Sequence, residues 1–449
     1  MSLLENILFA IVTLAAFGVF GWQMMRVVKN IQLGLPHDRK DKGGERFNRM
    51  LLVAFGQQKM FKKPFPAVLH GLVYVGFLVI NIELIEILVD GLFGTHRFLS
   101  FLGPLYSALM TVNEVLGALV VIACIILLYR RNVLKIRRFD GIEMKNFQRL
   151  DANIILVTEI VLMTCLYTFN IVEYKASMMA GAEMHGVFPV SSLLANVFPD
   201  ALATHAVWRI GWWGHVLGIY AFLNYIPMSK HFHIMMAFPN VYTSKLEPKG
   251  QISNMDFITA EVKGMLNPAA AVDANPTGEM PRLGARDVVD LPWTTLMDAY
   301  TCTECGRCTD QCPANITGKK LSPRKIIMDT RDRLEELKKL NLETPQAVKE
   351  HADKEGKYLL GDYISAEELW ACTTCNACTE ACPVNIDHVS EIIDLRRYMV
   401  MEASTIPKEL SIMINNIQNN GAPWAMAASS RFDWAQNIQM PESKIAAKA

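Results

Sequence analysis

Five apolar stretches dominate the first half of this chain, at roughly residues 3–25, 67–90, 101–129, 152–175 and 205–230. Each is long enough to cross a bilayer as a helix, which takes about 20 residues. From Asn240 to about Pro292 the pattern turns polar and broken, with Pro248, Gly250, Pro268, Pro276, Gly278, Pro281 and Gly284, and reads as a linker. Helix signals of a soluble domain follow. Ser322-Pro323 reads as an N-cap and first helical residue, opening a helix through Leu340. Thr344-Pro345 opens another, and Ser365 with Glu368 forms a capping box whose helix leads into Cys372. Asp387 caps a last helix, running to Ala403. The fold class is mainly α: a five-helix transmembrane bundle (1–239), a linker (240–291), a helical domain (292–405) and a C-terminal tail (406–449).

Charge adds orientation. Ten Lys and Arg residues lie between the first and second stretches, from Arg26 to Lys63, and seven between the third and fourth, from Arg130 to Arg149. The opposite loops offer Arg97 and, over 177–203, only the acids Glu183 and Asp200. Positive residues stay cytoplasmic. The N-terminus is thus expected outside the inner membrane, and everything after the fifth stretch inside. The first stretch lacks a basic leader and a small-residue cleavage site, so it is expected to remain as an anchor. Residues 44–63 mix Phe47, Leu51, Phe55 and Phe61 with Arg46, Arg49, Lys59 and Lys62. They read either as an amphipathic helix on the inner lipid surface or as a basic loop. The 449 residues are 51% hydrophobic and 20% charged with net charge +0, which argues against a nucleic-acid partner.

Eight of the ten cysteines fall in two runs. One is Cys302, Cys305, Cys308, Cys312-Pro313; the other is Cys372, Cys375, Cys378, Cys382-Pro383. Both obey C-x2-C-x2-C-x3-C-P. Three closely spaced thiolates can reach three corners of a cubane cluster, while the fourth cysteine, aimed away, serves the other cluster in two-cluster ferredoxins. Two [4Fe-4S] clusters are expected, one on Cys302, Cys305, Cys308 and Cys382, the other on Cys372, Cys375, Cys378 and Cys312. Zinc favours two CxxC pairs or histidines, and disulfides suit small secreted domains; neither fits. The domain over 292–405 is therefore of the two-cluster ferredoxin type. Cys124 and Cys165 sit in apolar runs and read as small core residues.

Histidines inside a bilayer are expensive without a role such as metal ligation. His70 lies near the inner end of the second stretch, His215 lies within the fifth, and His231 and His233 lie at its inner end. The run from Gly214-His215 through Pro227 to His233 resembles the fifth helix of the gamma subunit of respiratory nitrate reductase, a five-helix cytochrome b that exchanges electrons with quinol. That resemblance implies an inner haem b on His70 and His233. The eighteen residues from His215 to His233 are five turns of a helix, which predicts that both share one face and that His231 points elsewhere. The family's second histidine on helix two is here Ile80, beside Asn81. A second haem therefore lacks a ligand, and His215 is left to bind haem with another partner, contact quinone, or hydrogen-bond a carbonyl.

Four acids, Glu83, Glu86, Glu114 and Glu159, lie in apolar runs. They read as proton paths, quinone contacts or interhelical hydrogen bonds, with Glu86 placed in the headgroup zone. The stretch from Asp298-Ala299-Tyr300-Thr301-Cys302 to Cys308, with Gly421-Ala422-Pro423-Trp424 and Asp433-Trp434, resembles membrane-bound heterodisulfide-reductase-related iron–sulfur proteins. Fused relatives of that kind continue into a segment with CCG motifs. Here the chain ends at Ala449, so a separate cytoplasmic CCG-motif redox subunit is expected to dock on the tail. The function expected is electron transfer between menaquinone or ubiquinone and that partner. The competing readings are a haem-free iron–sulfur subunit whose helices only anchor it, and a membrane redox sensor.

Overall fold

A computed structural model describes residues 2–181, 185–267, 282–436 and 438. Glu183, Pro268, Pro276, Gly278, Pro281 and the end of the tail, which the sequence reading used, lie outside them. The chain is mostly helical, and among the described residues there is no strand beyond two isolated bridges. Five long helices build the first half: α1 (Leu3–Gln32), α2 (Pro64–Phe93), α3 (Pro104–Asn132), α4 (Asn146–Ala180) and α5 (His205–Tyr225). Their starts follow local chemistry. Ser2 and Glu5 form a capping box on α1, prolines open α2 and α3, and the Thr204 hydroxyl accepts from Val207 N–H to cap α5.

Four of these helices, α1 to α4, are long and apolar enough to cross a membrane. The fifth corrects the sequence reading. It stops at Tyr225, and its tryptophans, glycines, Arg209 and Asn224 make it less apolar than the stretch 205–230 suggested. Pro227 has no N–H to continue the ladder, so short 3-10 turns cover Ile226–Met228 and Lys230–Phe232. A new helix, α6 (His233–Thr243), then begins at the histidine itself. The argument that His215 and His233 share a helical face therefore fails.

Helix α5 packs along α4 through glycines. A Cβ on Gly211 would stand 3.0 Å from Phe169 N and 3.1 Å from Cys165 O, and one on Gly214 would stand 3.2 Å from Cys165 Sγ. Small residues let helix backbones approach this closely where lipid supplies no hydrophobic drive. One buried core, with Phe9, Val120, Cys124, Leu162, Phe169 and Trp212, lies inside the bundle. The outward faces carry exposed Leu14, Phe65, Ile85, Leu105 and Ile210, as lipid contact requires.

A second core joins one end of the helical bundle to the C-terminal half. It runs from Val27, Ile31 and Leu33 through Phe232 and Val241 to Leu296, Tyr300, Ile326 and Ile392. The buried Asn30 side chain of α1 donates to Tyr300 Oη (2.7 Å) and Leu334 O (3.0 Å). Asn240 of α6 donates to Asp298 Oδ1 (2.8 Å) and Val384 O (3.1 Å). The two halves thus interlock by specific buried hydrogen bonds. Within the stretch read as linker lie a helix, Asp256–Leu266, and the buried residues Ala285, Val288 and Leu291. Ser322, Thr344, Ser365 and Asp387 each cap the helix expected of them, the last ending at Arg397 with a π turn beyond.

Glu391 in that last helix is fully buried and accepts a hydrogen bond from Thr330. Burial raises its carboxyl from 4.5 to about 8. The folded chain holds this proton where the unfolded chain has released it, so the stabilisation is complete below pH 4.5 and is lost as pH rises to about 8. Glu391→Gln is expected to remove that slope, at most ~1.4 kcal/mol per pH unit, from denaturant-measured stability across this window. Parallel profiles for the variant and the parent would contradict it.

Candidate functional site

The two cysteine runs fold as two copies of one loop. In the first, Glu304 (φ 51°) and Gly306 (φ 70°) are left-handed; in the second, Thr374 (φ 56°) and Asn376 (φ 60°) occupy the same two positions. Left-handed backbone is uncommon outside glycine, and for β-branched Thr374 it is strained. The result is a coil that turns N–H groups inward: Thr374 N–H lies 3.4 Å from Cys372 Sγ. Each run then enters a short helix, Arg307–Asp310 or Ala377–Ala381, and these two helices pack together. Cys308 and Cys378 meet in one buried cluster with Val389.

The fourth cysteines cross over. Cys382 lies near Cys305 and Cys308, and Cys312 near Cys372 and Cys378. Burial raises the thiols of Cys378 and Cys382 to about 12, and that of Cys302 to about 11. As free thiols they would stay protonated at neutral pH, so metal ligation there releases protons. Cys375 is exposed, whereas Cys302, Cys308, Cys312, Cys378 and Cys382 are buried. Among the described residues no three His, Cys, Asp or Glu could hold a single metal ion; a cubane instead wants its sulfurs apart, at its corners.

The first loop is clamped from the membrane side. Arg324 donates to Arg138 O (2.7 Å) and Glu304 O (3.3 Å) and pairs with Glu143 (2.7 Å), tying the α3–α4 loop to the cysteine loop. Lys230 pairs with Glu304 at 2.7 Å. Lys59, from the α1–α2 loop, donates to Thr379 O (3.1 Å) and sits near Cys382. A Cβ on Gly306 would lie 2.6 Å from Arg138 O and 2.7 Å from Arg324 Nη1, on backbone that disfavours any side chain. Gly306→Ala is expected to cost roughly 1–3 kcal/mol and to broaden or abolish the EPR signal of the first loop's cluster. An unchanged signal and melting temperature would show that this contact yields freely.

Behind that clamp lies a cavity of about 290 Å³. Its wall carries His70, His231 and His233 from the membrane half, and Thr303, Glu304, Cys305, Arg307 and Pro383 from the cysteine loops. The rings of His70 and His233 have centres 6.2 Å apart at 39°. His233 Nδ1 lies 2.9 Å from Lys230 O, which assigns its proton to Nδ1 and leaves Nε2 a bare lone pair. His70 Nδ1 and His231 Nε2 are buried without partners. Arg130, Arg131 and Arg138 also line the cavity, and Arg138 Nη1 is buried without a partner. Sequence reasoning missed these arginines as site residues because it used them only as topology signals.

His215 lies apart, in a cavity of about 80 Å³ with Ile80, Asn81, Glu83, Glu159 and Met163. Its Nδ1 donates to Leu162 O at 2.9 Å. No second histidine faces it there. Of the four acids, Glu114 takes the N–H groups of Val190 and Ser191, each at 2.8 Å. Glu86 makes hydrogen bonds between elements: it is 1% exposed and accepts from Leu99 N–H (2.8 Å) and Tyr106 O–H (3.0 Å).

This pair of mirrored loops is that of a dicluster iron–sulfur domain, and residues 301–386 match the family described as "4Fe-4S dicluster domain". Over 98% of its length the chain is 30% identical to "Probable iron-sulfur-binding oxidoreductase FadF" of Bacillus subtilis, covering 61% of that protein. It is 26% identical over 88% of its length to "EtfAB:quinone oxidoreductase" of Syntrophomonas wolfei, covering 54% of it. A quarter of the chain is 34% identical to 53% of a subunit of the ferredoxin/F(420)H(2)-dependent CoB-CoM heterodisulfide reductase of Methanosarcina acetivorans. The chain thus spans between half and two thirds of these relatives. No solved structure matches it. Residues 301–386 are thus a dicluster iron–sulfur domain joined to membrane-type helices, and the likeness to iron–sulfur oxidoreductases supports an electron-transfer role.

Proposed function

We propose that this chain passes electrons between the quinone pool and a soluble redox partner, through one haem b on His70 and His233 and two [4Fe-4S] clusters. The cluster ligands are Cys302, Cys305, Cys308 and Cys382 on one side, and Cys372, Cys375, Cys378 and Cys312 on the other. The observation that carries the reading is the shared cavity, with the histidine pair in its wall beside the loop of Cys305. These groups would supply successive one-electron centres from the inner membrane face outward into the cytoplasm.

The residues fit haem in three respects. Two imidazoles on opposite faces of one metal put their ring centres ~6 Å apart, and His70 and His233 stand at 6.2 Å. The Lys230 carbonyl holds His233 in the tautomer that offers Nε2. Arg130, Arg131, Arg138 and Arg307 give the wall the positive charge that acidic haem side chains require. The cavity of His215 is lined by Ile80 and by no second histidine, and the space is far smaller. His215 is accordingly assigned to quinone rather than to a second haem.

The basic loops support the inside location of the cysteine half, and one relative's name joins quinone to EtfAB. For the partner we infer a CCG-motif redox subunit. Its landing area is the tail, where Ile412, Ile417, Trp424, Phe432 and Trp434 are exposed; exposed aromatic clusters of this kind mark interfaces. A relative named as one subunit of a reductase agrees with such a division of labour. The test is a visible spectrum of the purified chain before and after menaquinol. A haem b band that sharpens on reduction supports the reading, and its absence from fully assembled protein would leave the helices a haem-free anchor.

A further inference from the structure

We propose that Glu83, Arg97 and Glu173 form a proton passage from the intramembrane cavity beside His215 to a pocket at the opposite, outer end of the bundle. The proposal rests on the quinone reading above. Two cavities end on one ion network. The inner one is lined by Glu83, Asn81, Glu159 and His215. The outer one, about 560 Å³, is lined by Glu173, His96, His205 and Arg209. Arg97 lies between them, 5% exposed, with Nη1 3.3 Å from Glu83 Oε1 and Nη2 2.9 Å from Glu173 Oε2. His96, well exposed, reaches Glu173 Oε1 at 3.3 Å.

A second observation points the same way. Asn113 is 1% exposed and donates to Glu83 Oε2 at 3.4 Å, yet its own Oδ1 has no partner. A bare buried acceptor beside a carboxylate is the place for a water or a protonated group. The neighbours of Arg97 divide by role. Asn170 accepts from Nη2 at 2.6 Å, Glu86 is occupied by Leu99 N–H and Tyr106 O–H, and Asp90 accepts from the N–H groups of Arg97 (2.8 Å) and Phe98 (3.1 Å). Of the acids around Arg97, it is Glu83 and Glu173 that line these two cavities.

Arginine does not give up its proton. Arg97 instead holds the two glutamates, Glu83 on Nη1 and Glu173 on Nη2, and the proposed relay between them runs through water. A hydroquinone at the inner cavity would give up two electrons, which the bound iron centres would accept one at a time, and two protons. Each O–H bond broken sends its proton to the Glu83 carboxylate, then through water to Glu173, His96 and the outer pocket. Quinone reduction runs the same steps backward. The competing view is a static network that merely neutralises Arg97.

The experiment uses the full chain in liposomes, with a short-tailed menaquinol, external ferricyanide to accept electrons from outward-facing cysteine domains, and a pH dye in the lumen. The wild type is expected to acidify the lumen. Glu83→Gln should slow both acidification and quinol oxidation by roughly tenfold or more, with cluster EPR and melting unchanged, and Glu83→Asp should restore part of the rate. Glu86→Gln should behave as wild type. Redox-difference infrared spectra should lose a protonated-carboxyl band in Glu83→Gln. Should Glu83→Gln fail to fold, Glu173→Gln carries the same expectation. Wild-type acidification in Glu83→Gln or, in the fallback, Glu173→Gln would overturn the passage while leaving the quinone reading intact. Menaquinol that never reduces the wild type, whose clusters ferricyanide still oxidises, would overturn both.

Discussion

Cys312→Ala is expected to destroy the EPR signature of the cluster on Cys372, Cys375 and Cys378 while leaving the cluster of its own run intact. Cys382→Ala should do the converse. The reason is geometric. Each loop places its first three cysteines within seven residues, coiled by paired left-handed residues, and the fourth follows a short helix that carries it away. The helices Arg307–Asp310 and Ala377–Ala381 pack together, so each fourth thiol arrives at the other loop. Removing one of four ligands from a buried cubane leaves an iron without protein sulfur. One cluster should be lost or converted to a three-iron form. Damage confined to the variant's own loop would reverse the crossover.

His70→Ala and His233→Ala should each abolish the low-spin haem b band, whereas His231→Ala should keep it with a shifted maximum. His70 is the seventh residue of α2, and His233 opens α6. They approach from different elements, with ring centres 6.2 Å apart, and the Lys230 carbonyl fixes the tautomer of His233. His231 stands at 88° to His233, packed against Phe222 at 5.3 Å. It shapes the pocket without facing His70 in the same way. Arg138→Ala should retain the band but weaken haem retention in detergent, because Arg138 is half-buried in the cavity wall and its Nη1 has no hydrogen-bond partner within the chain. Retention of the band in both His70→Ala and His233→Ala, measured as reduced-minus-oxidised spectra, would falsify the pairing.

The cysteine half was legible from residues alone because its chemistry is local. Spacing fixes the coil, and the coil repeats at Glu304 and Thr374 and again at Gly306 and Asn376, although the residues differ. Caps such as Ser322 and Ser365 were equally readable, since a side chain three residues from its target needs no tertiary context. His70 and His233 stand with ring centres 6.2 Å apart, in keeping with the similar depth the sequence gives them, whereas the continuous helix expected from His215 to His233 is broken at Pro227. The break is what lets His233 turn toward His70 from a fresh helix.

Long-range partners were not legible. The sequence places Glu86 in the headgroup zone, and nothing local reveals its partners Tyr106 and Leu99. Lys59, Lys62 and Lys63 looked like orientation signals, yet they reach Thr379, Glu380 and Asp310 on the two cysteine loops. The α1–α2 loop is thus a brace between membrane and cysteine halves as well as a charge signal. Phe47 lies in a helix, Gly43–Met50, and Leu51 and Phe55 in the π turn that continues it, Leu51–Phe55; with Phe61 they are exposed, as a helix lying on a lipid surface requires.

The most direct measurement is the reoxidation of the reduced chain by menaquinone, followed by stopped-flow absorbance and freeze-quench EPR. The protein is reduced fully, freed of reductant and mixed with a short-tailed menaquinone. The account predicts that both clusters reoxidise in the wild type, and that His233→Ala, with its clusters intact, loses at least roughly tenfold in rate. Clusters that stay reduced with menaquinone, yet oxidise at once with ferricyanide, would contradict it.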